Sequence, residues 1–179
     1  MPDSSRSARV LLLTGQPGVG KTTVIRALQT LLGGWRMAGF TTEEIRQGDR
    51  RMGFQGRTVD GRVVLIAHRE FLGSQRVGAY GVDVSAIDRL APSLTPRNGI
   101  DAYLIDEIGR MECMSKAFDA AVRQLLAVPV RVVATVSAPG AGLVADVKNH
   151  PRAQLWEVTP GNRSALPAEI VAWLQTARP

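Results

Sequence analysis

The chain of 179 residues contains one cysteine, Cys113, and two histidines, His68 and His150. An internal disulfide is therefore impossible, and there are too few thiol and imidazole ligands for a Cys/His zinc site. Such cysteine usage points to a reducing cytoplasm. Aromatic residues make up 5% of the chain, a poor supply of stacking platforms for a nucleic-acid binder, and no known nucleic-acid motif occurs. Apolar runs are short. None approaches the ~18 residues that cross a bilayer, and the one at 10–13, which follows a polar stretch at 1–9, is far shorter than a signal-peptide core. Repeats, linkers and low-complexity segments are absent too.

Apolar residues at 45% and charged residues at 21% are ordinary for a globular chain of this length, so one compact domain over 1–179 is expected. The net charge of +6 is carried by arginine: 19 residues, against only Lys21, Lys116 and Lys148. Guanidinium presents a planar fork suited to phosphate, which suggests anionic partners, nucleotide or nucleic acid. Codon bias with solvated arginines is the plainer alternative. Seven arginines, however, fall between Arg46 and Arg76.

Periodicity gives the organisation. A buried strand at 10–14 runs into a glycine loop, and from Thr22 the apolar positions Ile25, Leu28, Leu31 and Leu32 mark a helix that stops at Gly33-Gly34. Short β-type segments follow at 40–45, 52–59 and 63–67, with Asp60-Gly61 as a hairpin signal. They define a β-rich antiparallel insertion over 35–83 within a core over 8–176. Asp83 is a helix cap for 84–90, the strand at 102–106 ends in acid, and Ser115 caps a helix with one apolar face. An apolar strand at 130–136, a helix at 143–149, a strand at 155–158 and a last amphipathic helix carrying Trp173 complete an α/β chain. Trp35, Trp156 and Trp173 read as packing residues.

Gly15-Gln16-Pro17-Gly18-Val19-Gly20-Lys21-Thr22 fits the phosphate-loop pattern G-x-x-x-x-G-K-[ST], and it sits between strand and helix. Glycines let backbone amides turn inward on phosphate oxygens, and the helix N-terminus adds its dipole. Lys21 supplies charge for the β- and γ-phosphates, Thr22 a hydroxyl for Mg²⁺, and Thr23 a further phosphate contact. A second Mg²⁺ ligand is expected at the end of a neighbouring strand, where Asp106 stands. Glu107 follows it as the residue that orients or deprotonates water. Asp106 to Gly109 also has the D-x-x-G shape in which a glycine amide meets a γ-phosphate. No Asn-Lys-x-Asp string reads guanine, so broad nucleotide tolerance is expected.

Six strings occur in order: Gly15-Gln-Pro-Gly-Val-Gly-Lys-Thr-Thr23, Gly39-Phe-Thr-Thr-Glu-Glu-Ile-Arg46, Arg51-x-Gly53-Phe54, Arg76-Val-Gly-x-Tyr80-x-Val-Asp83, Ile105-Asp-Glu-Ile-Gly-x-Met-Glu112 and Val158-Thr-x-x-Asn-Arg163. Together they resemble the small cancer-related nucleoside-triphosphatase family over nearly the whole chain. The resemblance implies a monomeric, three-layer phosphate-loop fold with a mostly parallel central sheet, and slow Mg²⁺-dependent hydrolysis of ATP, GTP, CTP and UTP. It also implies that Asn162 and Arg163 flank the base, where a guanidinium can stack. Gln16, where many relatives carry proline, and residues 138–142, which lack basic side chains found in some relatives, depart from the pattern.

Charge compensation at the γ-phosphate calls for an arginine, and Arg46, Arg51 and Arg76 are the candidates. Glu43 and Glu44 suit ion pairs with them better than Mg²⁺. Three functions compete: a nucleoside-triphosphate hydrolase, a nucleotide or small-molecule kinase, and an NTP-gated RNA- or DNA-binding module.

Overall fold

The computed structural model describes residues 10–176; the outer bounds expected above for domain and core, at 1, 8 and 179, lie outside them. β1 (Val10–Thr14) leads through the glycine loop into α1 (Lys21–Leu31). β1 is apolar throughout its buried length because its alternate side chains serve two cores: Val10 and Leu12 enter one, Leu11 and Leu13 the other. The second core is closed by α1 and by α5 (Leu166–Thr176). The first is closed by α2 (Val84–Asp88), a 3₁₀ turn (Ala91–Leu94), α3 (Lys116–Ala127) and α4 (Leu143–Lys148). Three layers result.

The sheet comprises β1 with β2 (Met37–Gln47), β3 (Arg50–Thr58), β4 (Val63–His68), β5 (Arg76–Val77), β6 (Tyr80–Val82), β7 (Ala102–Ile108), β8 (Val132–Val136) and β9 (Ala153–Glu157). Among the described residues its order is β5-β6-β4-β3-β2-β7-β8-β1-β9. Pairing from β2 to β9 is parallel, and β3, β4, β6 and β5 extend one edge antiparallel. The β-rich stretch is therefore continuous with the central sheet. β2 belongs to both parts: its start, Met37 to Phe40, pairs with Ala102 to Ile105 of β7, while Phe40 onward pairs with β3.

Gly39 makes the first contact possible. Its φ is +104°, and a Cβ there would overlap the Leu104 carbonyl. Both caps expected from sequence are formed: Asp83 accepts from the Ala86 amide at 3.1 Å and Ser115 from the Phe118 amide at 2.9 Å. Several boundaries move. The acid-bearing strand runs on to Ile108, the strand expected from 130 starts at Val132, and the one expected at 155–158 lies at Ala153–Glu157, where it pairs with β1. The short strands β5 and β6 had no periodic signal, since three residues cannot display one.

Candidate active site

The glycine loop emerges at the carboxyl end of β1, where open parallel sheets form their ligand crevices. Gly15 is pressed against the chain that follows β9: a Cβ would lie 2.6 Å from the Val158 carbonyl oxygen. Lys21 Nζ donates back to the Gly15 and Gln16 carbonyls at 2.9 and 3.2 Å, closing the loop on itself. Pro17, Gly18, Gly20, Lys21, Thr22 and Thr23 line a cleft of about 690 Å³. The exposed Gln16 side chain is not among its walls.

Asp106 is almost fully buried and held from both neighbouring strands. Thr135 of β8 donates to its Oδ1 at 2.6 Å and Thr42 of β2 to its Oδ2 at 3.2 Å. The β7–β8 register, Ile105 with Ala134 but Ile108 with Val136, carries one extra residue on β7. Such a bulge re-aims successive side chains. Glu107 reaches the cleft wall, and its carboxyl is raised above the usual range by desolvation first and the Asp106 charge second, against the opposing pull of Lys21.

Gly109 does not line the cleft. It separates two carboxylates: a Cβ on it would be 3.0 Å from Glu107 Oε1 and 3.2 Å from Glu112 Oε2. Glu112 is 6% exposed, and burial, followed by the Glu107 and Asp106 charges, pushes its carboxyl up to about 8 against two backbone hydrogen bonds. The folded chain thus keeps a proton that the unfolded chain releases above about pH 4.5, so this residue costs stability progressively as pH rises toward 8. Glu112→Gln should remove that cost. Urea denaturation at pH 5 and pH 8 should show the wild type losing up to about 4 kcal/mol relative to the variant; parallel behaviour of the two proteins would mean that Glu112 is ionised in the native state.

The arginines divide. Arg46 and Arg51 line the cleft, and both are paired with Glu44 Oε2 and Oε1 at 2.7 and 2.6 Å. Arg51 Nε also donates to Tyr80 Oη at 2.9 Å, and its guanidinium covers Phe54. Arg76 is not brought to the cleft: on the outer strand β5 it donates to the Phe71 and Ala79 carbonyls at 2.8 and 2.9 Å. Glu43 accepts from Gln55 at 2.7 Å and from Arg57 at 3.3 Å. Glu44 thus makes the ion pairs expected of it, whereas Glu43 pairs with Arg57 and Arg26 rather than with Arg46, Arg51 or Arg76.

Asn162 closes its own turn. Its Oδ1 accepts from the Thr159 amide and its Nδ2 donates to the Glu157 carbonyl, both at 2.8 Å. Arg163 comes to the phosphate loop, donating to the Val19 carbonyl at 3.1 Å. Trp156 and Trp173 stack edge to face, with centroids 6.5 Å apart, against the second core. Cys113 packs against the first core, where burial pushes its thiol up to about 11.

Four contributors were missed in the sequence: Thr42, Thr135, Glu112 and Arg26. Arg26 lines the cleft and donates to the Thr42 carbonyl at 3.0 Å. Its spacing of four from Thr22 places it on the loop-facing side of α1, which was a usable signal. The threonines had none, because only the strand register brings them to Asp106.

Among the described residues no group of three or more His, Cys, Asp or Glu could hold a metal unaided. The candidate donors are oxygens: the Thr22 hydroxyl lines the cleft, while the Asp106 carboxylate is buried behind the cleft wall, one residue before Glu107. That set fits Mg²⁺, which takes one or two carboxylates and completes its shell with water and substrate phosphate. No helix among the described residues is long and apolar enough to cross a membrane.

A protein-family model described as NTPase matches residues 10–171. The chain is 39% identical to the cancer-related nucleoside-triphosphatase homolog of Bos taurus, covering 96% of this chain and 99% of that one. It is 34% identical to the nucleoside-triphosphatase THEP1 of Thermotoga maritima, covering 94% and 97%. Its fold matches the crystal structure of THEP1 from Aquifex aeolicus with a TM-score of 0.84 at 36% identity, over 93% of this chain and 99% of that one. The solution structure of a human cancer-related nucleoside triphosphatase matches with a TM-score of 0.82 at 35% identity, over 96% and 100%.

Proposed function

The chain belongs to the small cancer-related nucleoside-triphosphatase family, and from that premise we propose that it is a hydrolase converting nucleoside triphosphate and water to diphosphate and phosphate. The observation that carries this reading is Glu107, a partly desolvated carboxylate on the wall of the same cleft as the phosphate loop. The loop amides and the α1 N-terminus bind the phosphates. Lys21 Nζ exchanges its two loop carbonyls for β- and γ-phosphate oxygens. Glu107 orients the attacking water and takes its proton. Asp106 and Thr22 would hold Mg²⁺, which supplies neutralisation of charge on the phosphates. The threonines on either side of Asp106 fix its orientation, as outer-shell partners do.

Arg46 and Arg51 provide charge compensation at the γ-phosphate. Because Glu44 already neutralises part of their charge, slow turnover is the expected regime. Broad base tolerance follows from the engaged amide of Asn162, whose donor and acceptor are both used within its own turn. Arg163, beside the loop, offers a guanidinium face that suits any base. Removing the arginine that meets the γ-phosphate, by Arg46→Ala or Arg51→Ala, should lower kcat by at least about 100-fold while nucleotide binding changes little. Steady-state kinetics alongside fluorescent-nucleotide titration tests this, and loss of binding alone in both variants would show that neither acts in the chemical step.

The decisive assay is phosphate release from ATP, GTP, CTP and UTP, with Mg²⁺ and with EDTA. Comparable release from all four, abolished by EDTA, is expected. No release from any of them would overturn the hydrolase reading.

A further inference from the structure

Beyond Glu107 lies a second pocket of about 250 Å³. It shares Thr42, Phe54 and Glu107 with the phosphate cleft, yet no residue of the phosphate loop reaches it. Hydrolysis requires one water at Glu107, whereas this volume is roughly eight times a water's share of the liquid. The walls are not those of a water channel. Phe54, Val77 and Met111 give them an apolar character, and the polar groups beside Glu107 include Glu112, Arg110 and Ser137, which follows β8.

The apolar wall is also fixed in place. Phe54 meets Tyr80 edge to face with centroids 5.1 Å apart, and the Arg51 guanidinium caps the Phe54 ring at 5.1 Å. Tyr80 is in turn tied to Arg51 by a hydrogen bond of 2.9 Å. A cavity framed in this way is preformed, as small-molecule sites usually are. Its wall sets the carboxyl groups of Glu107 and Glu112 beside one guanidinium, Arg110, so it carries no surplus of positive charge to hold an anionic occupant.

We propose that this pocket is an acceptor site for a small, uncharged alcohol with an apolar body, whose hydroxyl takes the place of water at Glu107 and receives the γ-phosphoryl group. The proposal rests on the reading of Glu107 as the base of the phosphate cleft. The alcohol oxygen forms the new P–O bond as the bond between the γ-phosphorus and the β–γ bridging oxygen breaks. The nucleoside diphosphate leaves with that electron pair, and Glu107 takes the hydroxyl proton. The products are a phosphate monoester and a nucleoside diphosphate. The chain is then a phosphotransferase as well as a hydrolase, and water is the acceptor when the pocket is empty of alcohol.

The test uses the full chain with ATP and Mg²⁺, 1-butanol, cyclohexanol and benzyl alcohol as acceptors, and toluene as the isostere that lacks a hydroxyl. Phosphorus NMR reads the ratio of monoester to inorganic phosphate. With at least one alcohol this ratio should rise and saturate, and toluene should suppress it. Filling the pocket by Met111→Trp should lower the ratio at least tenfold. Val77→Phe, on a different element, serves the same purpose if the tryptophan variant fails to fold. No monoester from any of the three alcohols, a ratio that grows linearly without saturation, or a ratio unchanged in the filled variants would each overturn the acceptor site. Reactions without alcohol separate the two readings: phosphate release there without any monoester elsewhere removes only the acceptor site, and monoester formation without basal release removes only the hydrolase.

Discussion

Lys21→Ala should abolish hydrolysis and weaken nucleotide binding by at least about 100-fold, the largest loss expected from any single substitution in this chain. Two roles are lost together. Lys21 Nζ staples the loop through the Gly15 and Gln16 carbonyls, and with nucleotide bound the same ammonium would meet the phosphates. Hydrogen bonds of this partly exposed kind contribute on the order of 1 kcal/mol, so the variant should remain folded with only a small fall in Tm. Calorimetric titration with a non-hydrolysable triphosphate, paired with a thermal melt, separates the effects. Lys21→Arg should not restore activity, because a planar fork cannot occupy the place of a compact ammonium between two loop carbonyls and a phosphate. Near-normal binding in a folded Lys21→Ala protein would mean that the loop amides alone hold the triphosphate.

Glu107→Gln is expected to have the second largest effect and the opposite signature: nucleotide affinity preserved within about threefold, and kcat reduced by about 10³. Glutamine keeps the shape and the hydrogen-bonding reach but cannot accept the proton. Its neutrality also relieves the repulsion between Glu107 and Asp106 that helps raise the Glu107 carboxyl, which is why binding should not suffer. The pH profile supplies an independent check. A base raised above the ordinary carboxylate range is protonated, and so inactive, at the acid end. Wild-type kcat should therefore climb with pH through that raised value, and the acidic limb should vanish in the variant. A Glu107→Gln rate within tenfold of wild type would remove this residue as the base.

Much of this site could be read from residues in order along the chain. The run from 10 to 32 carried strand, loop and helix in one local pattern, and Asp83 and Ser115 announced caps whose partners lie three residues away. Asp106 and Glu107 followed from the demand for an acid at a strand end. What resisted reading was set across the sheet. Thr42 and Thr135 meet Asp106 only because β2 and β8 flank β7 in a particular register. The arginine surplus shows the same limit: of the seven residues from Arg46 to Arg76, three were candidates for the γ-phosphate, yet Arg76 serves carbonyls on the sheet's outer edge, and Arg57 serves Glu43. Guanidinium direction depends on strand parity and on local acids, neither of which composition reveals. The turn that Asn162 closes with the Thr159 amide and the Glu157 carbonyl is likewise visible only in three dimensions.

β2 has a kinetic implication. One strand of 11 residues is anchored at Gly39 against β7 and carries Arg46 near its end, with Arg51 on the neighbouring β3. Swinging that wall would mean unzipping the ladder of Phe40 to Ile45 with β3, so as far as the bulge between Ile45 and Arg46 it is a beam without a hinge. Nucleotide therefore enters a mouth that already has its final width. Association should be single-phase, with an observed rate that stays linear in nucleotide concentration and never reaches the plateau that an isomerisation step imposes.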